Sequence, residues 1–103
     1  MNYFILAFLL LPLAAHAADL ALIIKDHQFQ PAEITVPSGT KIKIKVENQD
    51  ATPEEFESHE LNREKVIPGR STTTIYIGPL APGRYPFVGE FHEATAQGVI
   101  VAQ

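Results

Sequence analysis

The sequence predicts an all-β sandwich. Short runs in which apolar and polar residues alternate recur along the chain, and Pro and Gly stand at the breaks between them. No internal repeat, low-complexity tract or linker divides the chain, and 103 residues are too few for a second core.

The N-terminus is set apart from that pattern. Tyr3 to Ala15 is an almost unbroken apolar run, and no charged side chain precedes Asp19. A bilayer span needs about 20 apolar residues, so this run is too short to be one. It ends in Ala15-His16-Ala17, the small-x-small pattern of a signal-peptidase site. The expectation is a signal peptide over residues 1–17, cleaved after Ala17. That leaves residues 18–103 as a periplasmic domain with no membrane span; an uncleaved anchor is the alternative.

The elements follow in order. Leu20–Lys25 reads as a first strand, and Phe29-x-Pro31 and Ile34-x-Val36 as the next extended pieces. Pro37-Ser38-Gly39 turns the chain. In Lys41-Ile42-Lys43-Ile44-Lys45-Val46 the alternation is complete, with apolar side chains inward and lysines toward water. Pro53 to Leu61 reads as a strand with Glu54, Phe56 and Ser58 on one face and Glu55, Glu57 and His59 on the other; a helical turn is the competing reading. Pro68-Gly69 is a turn, and Thr72–Ile77 a β-branched strand. Gly78–Gly83 is a proline-rich connection. Arg84–Gly89 and Gly98–Ala102 are the closing strands, and the loop of about eight residues between them holds His92.

Composition narrows the chemistry. Twelve acids against eight bases give a net charge of −4, which argues against nucleic acid. There is no Cys, so disulfides are excluded. Met1 is the one methionine, so the processed protein would contain no sulfur. Between Glu47 and Glu64 lie Glu47, Asp50, Glu54, Glu55, Glu57, Glu60 and Glu64, against Arg63 alone. Such a run is a solvated face or a concentrator of cations.

Several stretches resemble the cupredoxins. Phe29-x-Pro31-x-x-Ile34-x-Val36-x-x-Gly39 is similar to their first hairpin. Asn48-x-Asp50 resembles the start of the loop that delivers their first copper-binding histidine. Leu80-x-Pro82-Gly83-x-Tyr85-x-Phe87 is similar to the approach to their C-terminal ligand loop. The resemblance implies a Greek-key β-sandwich of cupredoxin type with about seven to eight strands. It places the family's first His at Glu54, in the triplet Glu54-Glu55-Phe56, its Cys at Gly89 and its Met at Ala96 or Gln97. Only His92 keeps its ligand identity. A blue-copper site needs a thiolate with two imidazoles, so type 1 copper is not expected.

Phe56-Glu57-Ser58-His59-Glu60-Leu61, Glu64-Lys65 and Gly89-Glu90-Phe91-His92 resemble the cysteine-free cupredoxin-like proteins that accompany ferrous-iron permeases in bacterial envelopes. That resemblance implies iron handling, with an inner-membrane iron permease and other periplasmic iron-uptake components as partners. The ligand set it suggests is Glu54, Glu57, Glu90 and His92, with His59 and Glu93 behind them. Oxygen and imidazole donors suit Fe(II), Fe(III), Mn(II) and Cu(II), whereas Cu(I) prefers sulfur. Glu90 and His92 share a face if their segment is extended; Glu54 and Glu57 share one only if a bulge or turn breaks the alternation. His27 reads as a surface or hydrogen-bonding residue, Tyr76 and Tyr85 as core or sheet residues, and Phe87 and Phe91 as packing beneath the loop.

Catalysis has little support. Ser58 and His59 are strand neighbours and point to opposite faces, so they form no triad. A glycosidase carboxylate pair would need an aromatic-lined cleft, and the chain has no Trp. The expectation is a periplasmic protein that binds iron (Fe2+ or Fe3+) or Cu2+ and presents iron to a permease, with no enzyme activity assigned beyond an accessory part in ferrous-iron oxidation. A non-blue copper(II) protein and a metal-free interaction module are the alternatives.

Overall fold

The computed structural model describes residues 18–103; the expected signal peptide, residues 1–17, lies outside the described residues. Among the described residues no helix is long and apolar enough to cross a membrane. Among the described residues nine strands form two sheets: β1 (Ala18–Lys25), β2 (Gln28–Gln30), β3 (Glu33–Val36), β4 (Ile42–Asn48), β5 (Glu54–Ser58), β6 (Arg63–Ile67), β7 (Ser71–Ile77), β8 (Gly83–Gly89) and β9 (Gln97–Ala102). A single 3₁₀ turn, Glu90–His92, joins β8 toward β9.

One sheet has the order β2-β1-β4-β7, and the other β3-β9-β8-β5-β6. Both are mixed, because β1 pairs parallel to β4 and β3 parallel to β9, while the remaining pairs are antiparallel. The all-β sandwich is therefore as expected, with one strand, β6, beyond those read from the sequence. β2 is a three-residue piece, and β6 carries one buried residue, Ile67, at its end. With four of its five residues exposed, β6 shows no inward alternation, and its place at the sheet edge is the reason.

Alternation fills the core. β4 buries Ile42, Ile44, Val46 and Asn48 and turns Lys43, Lys45 and Glu47 outward. Leu22 and Ile24 of β1 and Ile75 and Ile77 of β7 meet them from the same sheet; Phe56, Ile67, Phe87 and Ile100 come from the other. Phe56 stacks on Phe87 at 4.9 Å, and Phe29 meets Phe87 edge-on at the same separation. Such aromatic pairs contribute about 0.5–1.5 kcal/mol beyond their area burial.

This core lies directly beneath the His92 loop. Phe87 packs there as expected, at 2% exposed, but Phe91 does not: it is 49% exposed. The 3₁₀ turn swings Phe91 outward while its N–H turns in to a carboxylate, and Ala96, fully buried, fills the space below. Tyr76 is an exposed sheet residue beneath the Lys41 ammonium, and Tyr85 donates its hydroxyl to the Ala81 carbonyl.

Candidate metal centre

Three segments meet at one pole of the sandwich: the β1–β2 turn, the start of β5 and the 3₁₀ turn after β8. They bring together His27, Glu54 and His92, whose donor atoms lie within 4.8 Å of one another.

Glu54 is the anchor. The inward phase of β5 buries it to 1% exposure beside Phe56 and Ser58. A buried carboxylate is stable only if its oxygens are satisfied. Its Oε1 accepts the N–H of Glu55 at 3.0 Å and of Phe91 at 2.9 Å, and its Oε2 lies 2.5 Å from His92 Nδ1. Among the described residues no buried side-chain nitrogen or oxygen is without a partner.

Gly89 makes the room. A Cβ there would fall 2.6 Å from the Glu54 carboxyl carbon and 2.6 Å from the Ala96 Cβ. A side chain at the position that the resemblance assigns to the family's cysteine is thus accommodated only if Glu54 and Ala96 shift.

His27 comes from the hairpin between β1 and β2. Lys25 pairs with Gln28, so Asp26 and His27 form a two-residue turn with φ of 53° and 57°. Positive φ at both positions is what such a turn demands, and it costs about 1–2 kcal/mol per residue with a Cβ. The ring of His27 stacks on that of His92, with centroids 3.6 Å apart and planes inclined by 14°.

Asp50 accepts the N–H groups of Asp26 and His27, at 2.9 and 3.0 Å. The His27 amide, more than any other contact, holds the Asp50 carboxyl below its ordinary value, against the opposing effect of burial.

The other expected residues lie elsewhere. Glu57 leaves the outer face of β5 with Glu55, as strict alternation requires, and no bulge brings it round to Glu54. Glu90 and His92 belong to a 3₁₀ turn rather than an extended segment, so the shared face expected for them is not formed. The turn carries Glu90 to the outer side, where Glu55, Glu64 and Glu90 place carboxylate oxygens within 4.8 Å of one another. His59 and Glu93 are exposed and line a shallow cleft with Glu57.

The outer carboxylates repel. Glu55 is pushed up to about 7, first by a hydrogen bond shared with Glu64, then by partial desolvation and by Glu90. Glu57 is raised chiefly by a hydrogen bond with Glu90.

His27 and Asp50 were not among the expected site residues. A usable signal was present: a two-residue Asp-His gap between apolar runs marks a hairpin tip, and both residues tolerate positive φ.

A sequence profile of the cupredoxin-like domain matches residues 1–102. RP394 of Rickettsia prowazekii (strain Madrid E) is 46% identical over 83 residues, 81% of this chain and 66% of the relative; the chain thus spans about two thirds of that relative's length. Among solved structures, the blue copper protein auracyanin A of Chloroflexus aurantiacus superposes with a TM-score of 0.74 at 16% identity, covering 85% of this chain and 100% of its own. The purple cupredoxin of Nitrosopumilus maritimus gives 0.63 at 17% identity, covering 82% of this chain and 100% of its own. The metal-binding domain of the Cu(I)-exporting ATPase CopA from Streptococcus pneumoniae D39 gives 0.70 at 16%, covering 82% of this chain and 84% of its own. Those likenesses fix the fold, the absence of cysteine rules out a type 1 centre, and the profile match over nearly the whole sequence makes this chain a member of the cupredoxin-like domain family.

Proposed function

We propose that this protein binds a first-row divalent cation, Fe(II) or Cu(II), at His27, Glu54 and His92. The convergence of two imidazoles and one buried carboxylate at a single pole carries the reading. That donor set fits: two histidines with one carboxylate suit Fe(II) with open positions, nitrogen and oxygen donors suit Cu(II), and none of the three donors is a sulfur that would favour Cu(I). His92 Nδ1 and Glu54 Oε2 face each other at 2.5 Å, and with His27 these residues would hold a cation between the β1–β2 turn and the turn after β8. Such a cation would supply positive charge to offset the buried Glu54 carboxylate, and the chain supplies an oxygen- and imidazole-lined seat.

The biological setting we infer is periplasmic iron handling, with iron presented to an inner-membrane permease. Its support is the resemblance of the Glu57–Leu61 and Gly89–His92 stretches to iron-permease companions, together with a donor set that carries no sulfur.

Anaerobic titration of the purified protein with Fe(II) and with Cu(II) tests the site. Saturable binding is expected, with Cu(II) the tighter. His92→Ala and His27→Ala should each weaken it by more than the roughly 100-fold that loss of an outer partner costs. Glu57→Gln and Glu90→Gln should leave it unchanged. Equal loss in the two glutamine variants would move the site to the outer face, and no saturable binding would end the metal reading. Iron uptake that is unaltered under limitation when the gene is deleted would remove the transport role.

A further inference from the structure

The His27 turn is held by more than its own backbone. Both of its amides point at one carboxylate, Asp26 N–H at Asp50 Oδ1 and His27 N–H at Asp50 Oδ2. Successive amides closing on an anion form a nest, which here ties the hairpin tip to the loop after β4. Asp50 is braced in turn. Its N–H donates to Asn48 Oδ1 at 3.0 Å, and its carbonyl accepts the Arg70 N–H at 2.8 Å. Asn48, 1% exposed, donates Nδ2 to the carbonyls of Thr52 and Ile67.

The braced carboxylate faces the ring as well as the backbone. Asp50 Oδ2 lies 3.5 Å from His27 Nδ1, long for a strong hydrogen bond but well within electrostatic reach. A carboxylate facing one ring nitrogen favours the tautomer that carries its hydrogen there. Metal-bound histidines commonly donate the other ring N–H to such a partner, which fixes both tautomer and ring plane. The stack against His92 leaves the His27 ring little freedom to turn away.

We propose that Asp50 is a positioning residue for His27: it holds the imidazole as the Nδ1–H tautomer and so presents Nε2 to the cation bound beside His92. This rests on the metal-binding reading above. Asp50 itself touches no cation.

Nitrogen–proton correlation spectra of the metal-free protein, at mildly alkaline pH, report which ring nitrogen of His27 bears hydrogen. The wild type should show hydrogen on Nδ1, and Asp50→Asn should shift His27 toward the Nε2–H form preferred by an unconstrained histidine side chain, leaving His92 as it was. Cu(II) affinity should fall about 10–100-fold in Asp50→Asn. Hydrogen on Nε2 in the wild type overturns the proposal without needing any variant to fold. A tautomer unchanged by Asp50→Asn in a folded protein overturns it too. If the wild type takes up neither Cu(II) nor Fe(II) while Asp50 still sets the tautomer, the metal reading fails and the orienting contact stands.

Discussion

On β5, Glu54 turns inward and Glu55 outward, and the two carboxylates are held by opposite means. Glu54 is surrounded by donors: two backbone amides and an imidazole. Glu55 is surrounded by acceptors, Glu64 and Glu90, and can share a hydrogen bond with them only when a proton is present. One carboxylate is built into a site with fixed geometry. The other belongs to an outward acidic face whose carboxylates raise one another's affinity for a proton. Neighbours in sequence thus show that count and proximity of acids do not make a centre; the donors around them do.

The largest contrast is in stability. Glu54→Ala strands two inward amides and the His92 contact, and should cost about 3 kcal/mol in urea unfolding. Glu55→Ala removes repulsion and should leave the midpoint level or raised. Equal losses from the two would erase the distinction drawn between them.

A second measurement sharpens the inner half. Gly89→Ala pushes a methyl group against Glu54 and Ala96 and should destabilise by about 1–3 kcal/mol. In a Glu54→Ala background the loss should shrink, leaving only the Ala96 clash. Strict additivity in that cycle would show that Gly89 and Glu54 do not share space.

The smallest effect, and the one with a sign, concerns pH. Glu55 in the folded protein titrates near 7, above its ordinary 4.5, so folding favours its protonated form. Its contribution is full below 4.5 and is lost as pH rises through about 7. Asp50, held below its ordinary 3.8, works the other way: its contribution stands above that value and is lost as pH falls through the folded one. The unfolding midpoint of the wild type should therefore decline between mildly acidic and mildly alkaline pH, and Glu55→Gln should flatten that decline. A midpoint equally steep in both proteins would mean that Glu64 and Glu90 do not act through Glu55.

Much of this was legible in the sequence because β-strands betray themselves by period. The alternation of Ile42–Val46 gave its two faces directly, and the same rule put Glu54 with Phe56 and left Glu57 outside. The strand β6 was not legible, since an edge strand with one buried residue has no period to detect. Of the expected ligands, Glu54 and His92 do meet. Glu90 was placed beside His92 by assuming an extended chain, and a three-residue helical turn separates them instead. His27 was missed for a different reason: its partners lie in distant segments of the other sheet, where the β5–β8 pairing sets Glu54 near His92 and the β1–β2 turn meets them across the sandwich. Local pattern gives faces; only topology gives poles.

Gly89 and Glu54 also constrain each other as sequence positions. A side chain at position 89 collides with the carboxylate, and loss of the carboxylate leaves two inward amides without an acceptor. A carboxylate at position 54 and a side chain at position 89 thus compete for one volume, and an exchange at either position is felt at the other. What divides the two arrangements is the volume of a single methyl group.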